Sequence, residues 1–306
     1  MTACVIDFPP QSGETVQIFS YPAGESQVRL CPGSIDTVAK ASLVTVRARL
    51  TDHGERGLHR NLIDLLLLAN AIHGVSPGVA VDVRLPYLPY SRGDRRFVDG
   101  DCLGLAVMGT LLQSGHFREI RTCDVHHRDR ALAHIPGLRN VVPTPLIRRA
   151  IQDFAVVTQS SHVTVILPDT GAAERYLAEQ RVVDMQHVNF VTVTKKRHAA
   201  TGKLEGFDVP TQSIGTVALI VDDLCDGGGT FIGIADTVQR ACRDHRRLGL
   251  YVSHGIFSQG LAALSARFEK IYTTNSVYPL VGNEQLQVWD AFTALEIEED
   301  QGWIPK

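Results

Sequence analysis

Apolar runs of four or five residues punctuate the chain: Val163-Thr-Val-Ile-Leu167, Phe190-Val-Thr-Val193, Val217-Ala-Leu-Ile-Val221 and Leu248-Gly-Leu-Tyr-Val252. Continuous runs of this length, bounded by turn residues, are the pattern of strands buried on both faces of a parallel sheet. Between them the apolar positions fall at helical spacing, as at Ala172, Ala173 and Leu177 and along Phe231-Ile-Gly-Ile-Ala-Asp-Thr-Val238. Strand and helix patterns in alternation predict an α/β fold.

The run at Val217–Val221 predicts a strand that ends on Asp222 and Asp223, followed by Asp226-Gly-Gly-Gly-Thr230 and a helix. Gly227, Gly228 and Gly229 allow a tight turn that presents successive N–H groups, and the helix from Thr230 adds its positive end. Together they suit a phosphate. The carboxylates of Asp222 and Asp223 accept hydrogen bonds from sugar hydroxyls, directly or through a divalent cation. Strand, acids, glycines and helix in this order read as a ribose-phosphate site. A βα connector without a ligand can share the glycines; the paired acids favour the ligand.

A second segment, Arg84-Leu-Pro-Tyr-Leu-Pro-Tyr-Ser-Arg-Gly-Asp-Arg-Arg96, reads as a strand end followed by clustered guanidinium groups. Arg92, Arg95 and Arg96 suit bidentate contact with a polyphosphate chain. This segment closely resembles the Pro-Tyr-x-x-Tyr-Ala-Arg-Gln-Asp-Arg signature of the PRPP synthetases (ribose-phosphate diphosphokinases). The stretch Val217–Thr230 resembles the PRPP loop of the type I phosphoribosyltransferase fold, which that family shares. Phosphoribosyltransferases themselves lack the arginine segment.

The resemblance runs in order along nearly the whole chain. Tyr21-Pro-Ala-Gly-Glu25 is similar to the family's adenine-contacting turn, Ser26–Leu30 to the strand after it and Asn61-Leu-Ile-Asp-Leu-Leu66 to a family helix. Asp124-Val-His126 resembles Asp-Leu-His, and Leu167-Pro-Asp-Thr-Gly-Ala-Ala-Glu-Arg175 resembles Ser-Pro-Asp-x-Gly-x-x-x-Arg. Lys195-Lys-Arg197 is similar to the entry of the family's catalytic flexible loop, Ser253-His-Gly-Ile-Phe-Ser258 to Thr-His-Gly-x-x-Ser, and Thr274-Asn-Ser276 to Thr-Asn-Thr. Taken singly, His126 has the reading of a hydrogen-bonded structural histidine, Lys195 and Arg197 that of a solvated charge pair, and Asp169 that of a helix cap. Their collinearity favours the functional roles.

The resemblance implies two phosphoribosyltransferase-like domains, each with a mostly parallel sheet flanked by helices. Residues 1–145 carry the ATP turn and arginine segment, and residues 146–306 carry the ribose-phosphate loop, with Glu284–Lys306 returning to pack on the first half. It implies ATP contacts at Tyr21, Glu25, Arg92, Asp94, Arg95, Arg96, His126 and Arg175, and catalytic cations at Lys195 and Arg197. Magnesium falls to His126, Asp169, Asp222 and Asp223. The ribose phosphate falls to Asp222, Asp223, Asp226, Gly227, Gly228, Gly229 and Thr230. The implied reaction is attack of an anomeric hydroxyl on the β-phosphorus of ATP, giving AMP and a C1 diphosphate.

Departures from the family pattern keep alternatives open. The family reads Asp-Thr-x-Gly-Thr where this chain has Gly227 in place of the first threonine. The change removes a hydroxyl donor and opens room for a bulkier 5′-substituent, such as that of ADP-ribose on a route to NAD from nicotinamide. Gly93 replaces a glutamine and Ala23 an asparagine, which bears on ATP contacts. The chain before Tyr21 is too short for the family's opening βα unit, so neither its regulation nor its hexamer is implied; a homodimer or higher homo-oligomer is expected. An inert regulatory subunit of the same family is the alternative outside enzymes.

Composition agrees with these readings. The 306 residues are 44% hydrophobic, enough for two buried sheets. A net charge of −3 without a long basic block argues against nucleic acid. No apolar run approaches the roughly twenty residues that span a bilayer, and no amino-terminal signal pattern appears, so a cytoplasmic enzyme is expected. Six cysteines without Cys-x-x-Cys spacing read as reduced thiols.

Overall fold

The computed structural model describes residues 3–10, 15–51, 57–178, 185, 187–197, 204–241 and 246–296; the side chains of residues 195–197, 204 and 205 lie outside that description. The chain divides into two compact units, Met1–Val141 and Val142–Lys306. No described helix is long and apolar enough to cross a membrane.

In the first unit, strands β1 (Ala3–Phe8), β4 (Leu43–Ala48), β5 (Ala80–Arg84), β6 (Glu119–Cys123) and β7 (Leu138–Val141) form one sheet in that order. All four pairings are parallel. A hairpin of β2 (Val16–Ser20) and β3 (Ser26–Leu30) stands apart from this sheet. Helices α1 (Pro32–Lys40), α2 (Leu58–Val75), α3 (Gly104–Gln113) and α4 (Arg128–His134) complete the unit. The edge strand β1 alternates exposed and buried residues, whereas β5 has three consecutive buried ones. A strand flanked on both sides and covered on both faces has no room for alternation. The unit encloses its own apolar core, centred on residues such as Leu65, Leu68, Val81, Val83 and Leu105.

The second unit has a six-stranded sheet in the order β15-β14-β13-β12-β8-β9. Its strands are β8 (Val163–Leu167), β9 (Val188–Thr192), β12 (Val217–Cys225), β13 (Arg247–Gly255), β14 (Lys270–Thr274) and β15 (Leu286–Trp289), all paired in parallel. A short antiparallel pair, β10 (Thr194–Arg197) and β11 (Leu204–Asp208), follows β9. Helices α5 (Thr144–Thr158), α6 (Thr170–Leu177), α7 (Gly229–Ala241), α8 (Ala262–Ser265) and α9 (Ala291–Glu296) accompany the sheet. Three of the four apolar runs predicted as buried strands are the fully buried β8, the buried first half of β12 and the buried β13 from Leu248 on, whereas the fourth, Phe190–Val193, overlaps the edge strand β9, which is buried only at Val191. Of the closing stretch, β15 belongs to this second sheet and α9 is largely buried, while residues 297–306 lie outside the described residues.

Candidate active site

Strand β12 runs two residues past Asp222 and Asp223, where the sequence places its end, because β13 extends beside it and pairs Asp222 with Val252, Leu224 with His254 and Cys225 with Gly255. The two acids therefore sit within the strand and not at its last positions. Their side chains are 16% and 5% exposed, and Nη1 of Arg175, from α6, lies 3.5 Å from Asp222 Oδ1 and 3.1 Å from Asp223 Oδ1. Burial, then the adjacent Asp223, raises the Asp222 carboxyl well above its ordinary value; Arg175 opposes that rise and Asp169 adds to it. Two carboxylates side by side, one buried and one partly so, hold a proton more readily than either alone.

Asp169 caps α6, accepting a hydrogen bond of 3.0 Å from the Ala172 N–H at Oδ1. The capping role and the electrostatic influence on Asp222 coexist. Arg175, which the resemblance places on ATP, is brought to the two strand acids, with its guanidinium also 5.3 Å from the Tyr176 ring centre.

Beyond Cys225 the chain turns through the glycines, which differ in what the fold asks of them. Gly228 has φ +80°, and a Cβ there would stand 3.1 Å from Leu264 Cδ2 of α8. Only glycine adopts this conformation readily. At Gly229 a Cβ would meet nothing within 4 Å, and at Gly227 it would rest 3.4 Å from Gln259 Cγ, an ordinary contact. The fold thus demands one glycine of three, and the exposed backbone at Gly227 and Gly229 is open to a ligand. Helix α7 starts at Gly229, so the first N–H groups of the turn have no intrahelical acceptor.

The loop is braced from behind. Ser258 Oγ donates to Asp226 Oδ1 at 2.6 Å, and the Ser258 N–H donates to the Asp226 carbonyl at 3.2 Å. His254 Nδ1 lies 2.8 Å from Ser276 Oγ, and Thr274 Oγ1 donates to the Ser253 carbonyl at 2.7 Å, all buried. The Ser253–Ser258 and Thr274–Ser276 motifs are thereby one hydrogen-bonded support. Burial pushes the Cys225 thiol up to about 12, so this cysteine behaves as an apolar packing residue.

Lys195 and Arg197 lie on β10, which pairs with β11 and shifts register between Lys196 and Arg197. Their side chains, and residues 198–203 after them, lie outside the described residues. The return strand is anchored at Phe207, whose ring occupies the space of a side chain at Gly233 on α7; a Cβ there would be 2.3 Å from Phe207 Cε2. The helix that opens at the glycine loop also docks the base of this arm, a link that the glycine-rich motif alone does not reveal.

In the first unit, Tyr21–Glu25 forms the tip of the β2–β3 hairpin, closed by the Tyr21 N–H donating to the Glu25 carbonyl at 2.8 Å and by Gly24 at φ +102°. Tyr21 is 49% exposed and meets Phe19 edge-on. In the arginine segment, Arg92, Arg95 and Arg96 are exposed. Arg95 stacks over Phe97, and Arg96 Nε donates to the Asp101 carbonyl at 3.0 Å. Asp94 points the other way: it is buried and accepts 2.7 Å from Arg130 Nη1. Its carboxylate secures the segment to α4, and Arg130 is a residue that no motif singled out. Gly93 lies beside Gly104, and an added Cβ there would make only ordinary contacts, 3.4 Å to the Tyr90 carbonyl and 3.7 Å to the Gly104 Cα. His126 is exposed just after Asp124, which is buried and has φ +44°.

Among the described residues no three His, Cys, Asp or Glu side chains cluster as a metal cage. Asp222 and Asp223 offer oxygen donors whose mutual repulsion a divalent cation would relieve. That donor set fits magnesium, which takes one or two carboxylates and fills its remaining positions with substrate oxygens and water.

The chain is similar to several enzymes of one name. It is 26% identical over 265 residues to the ribose-phosphate pyrophosphokinase of Pyrococcus abyssi, covering 86% of this chain and 84% of that protein. The ribose-phosphate pyrophosphokinase of Thermococcus kodakarensis is 29% identical over 271 residues, covering 86% and 85%. Ribose-phosphate pyrophosphokinase 2 of Saccharomyces cerevisiae is 26% identical over 232 residues, covering 74% and 69%. The fold matches that of phosphoribosylpyrophosphate synthetase from Mycobacterium smegmatis with a TM-score of 0.72 at 17% identity, over 96% of this chain and 98% of that one. No family model matches the sequence.

Proposed function

As a divergent member of the ribose-phosphate pyrophosphokinase (PRPP synthetase) family, this chain is a transferase, and we propose that it moves the β,γ-diphosphoryl group of ATP to the anomeric hydroxyl of ribose 5-phosphate. The observation that carries the reading is the acid pair of partly buried Asp222 and buried Asp223, set just before an exposed glycine turn at a helix N-terminus. Acids for sugar hydroxyls and N–H groups for a phosphate stand in one continuous segment.

In this reaction the anomeric oxygen forms a bond to the β-phosphorus, the bond between that phosphorus and the α-bridging oxygen breaks, and AMP leaves. The hydroxyl proton passes to solvent. No covalent intermediate on the protein is required, so the work is positioning and charge neutralisation. Asp226 to Thr230 hold the 5′-phosphate, and Asp222 and Asp223 orient the ribose. Arg92, Arg95 and Arg96 receive the triphosphate and Tyr21 and Glu25 the base, while Lys195 and Arg197 carry the charge that develops in the transition state. Magnesium, when bound through Asp222 and Asp223 and on ATP near His126 and Asp169, supplies charge neutralisation along the phosphates. Asp94 serves by holding the arginine segment against Arg130. A homodimer or larger homo-oligomer in the cytoplasm, with the adenine turn serving a neighbouring subunit, belongs to the same proposal.

The open backbone at Gly227 and Gly229 supports a second acceptor, ADP-ribose, whose 5′-phosphate carries a further nucleotide. Offering ribose 5-phosphate and ADP-ribose separately with MgATP, and reading products by mass spectrometry, decides between them. The acceptor that gains one diphosphate is the substrate; gain by neither overturns the proposal and leaves an inert subunit.

A further inference from the structure

At the opposite end of the second sheet, where β8 and β9 begin, lies a cavity of about 370 Å³ with His162 and His187 in its wall. The parallel register pairs Val163 with Val188, so His162 and His187 are cross-strand neighbours, and the His187 carbonyl accepts the Val163 N–H at 3.2 Å. Their ring centres are 4.9 Å apart at an interplanar angle of 78°. Two imidazoles that share one tetrahedral ion, each nitrogen about 2.0–2.1 Å from it, have ring centres about 5 Å apart.

We propose that His162 and His187 bind a borderline divalent metal ion of the zinc or nickel class. Ser161 Oγ lies 2.9 Å from His162 Nδ1 and orients the ring, leaving Nε2 without a hydrogen bond among the described residues. Ligating histidines are commonly held through their second nitrogen in this way. Asn189 lines the same cavity and offers a neutral amide oxygen, its Nδ2 donating to the Ser213 carbonyl, and no lysine or arginine among the described residues lines it. Imidazole selects such ions over magnesium, so the site is distinct in chemistry from the acid pair on β12. Strand β9 is the sheet edge, held by β8 alone, and leads through Val193 into β10 with Lys195 and Arg197. An ion on His162 and His187 ties the start of that strand to its neighbour.

The test is calorimetric titration of the full chain with zinc in excess magnesium, repeated on His162→Ala and His187→Asn. Asparagine tolerates the φ of +63° at position 187, and both histidines are exposed, so folding is preserved. The expected result is one ion per chain, bound roughly tenfold or more weakly by each variant. Absence of binding, equal binding in both variants, or shifts of the two imidazole resonances by inorganic phosphate in place of zinc would overturn the proposal.

Discussion

Arg175 and Asp223 form an ion pair of 3.1 Å whose guanidinium also reaches Asp222, so one cation serves two carboxylates, one buried and one partly buried. The supply of positive charge falls short, and Asp222 holds its proton above the ordinary carboxyl range. The folded chain therefore binds more protons than the unfolded chain between the ordinary value and the raised one, and stability contributed by this group declines as pH rises through that window. Thermal melting against pH should show the decline, Asp223→Asn should flatten it, and magnesium should offset it. A slope unchanged by Asp223→Asn would contradict the coupling.

The three loop glycines should separate on substitution. Gly228→Ala forces a left-handed residue against Leu264 and should cost at least about 1–2 kcal/mol, visible as a lower melting temperature. Gly229→Ala meets open space at the start of α7, so stability should hold or rise slightly while KM for the acceptor increases. Equal loss of stability in both variants would show that the fold, not a ligand, holds Gly229.

Lys195→Ala should lower kcat by about 10²- to 10³-fold, the scale of losing one transition-state charge donor, with nucleotide affinity nearly retained. Single-turnover kinetics and equilibrium ATP binding measure the two parts. Near-normal turnover would remove Lys195 from the chemistry.

Gly227→Thr should return the missing hydroxyl to the phosphate loop, since a Cβ fits there beside Gln259. One added hydrogen bond to a charged phosphate, about 1.5–3 kcal/mol, predicts a gain in kcat/KM for ribose 5-phosphate of roughly tenfold or more, with ADP-ribose disfavoured by the added bulk. Competition between the two acceptors reads this ratio directly.

The alternating apolar runs made the α/β class legible, because strands buried on both faces leave a periodicity that survives without tertiary information. The end of β12 was less legible. Asp222 and Asp223 break the apolar run, yet pairing with β13 carries the strand through them. Asp169 was readable as a helix cap from its place before Thr170. Contacts between distant positions were not readable: Asp94 meets Arg130 across thirty-six positions, and Gly233 on α7 admits Phe207 from β11. Periodicity reports burial along one element, whereas these pairs depend on which elements the topology makes neighbours.

Transfer of two phosphoryl groups together leaves AMP as the nucleotide product, and that product distinguishes it from transfer of one. Purified chain with MgATP and ribose 5-phosphate or ADP-ribose, resolved by chromatography, should release one AMP for each acceptor consumed. ADP as the nucleotide product, or AMP formed without change in either acceptor, would contradict the account.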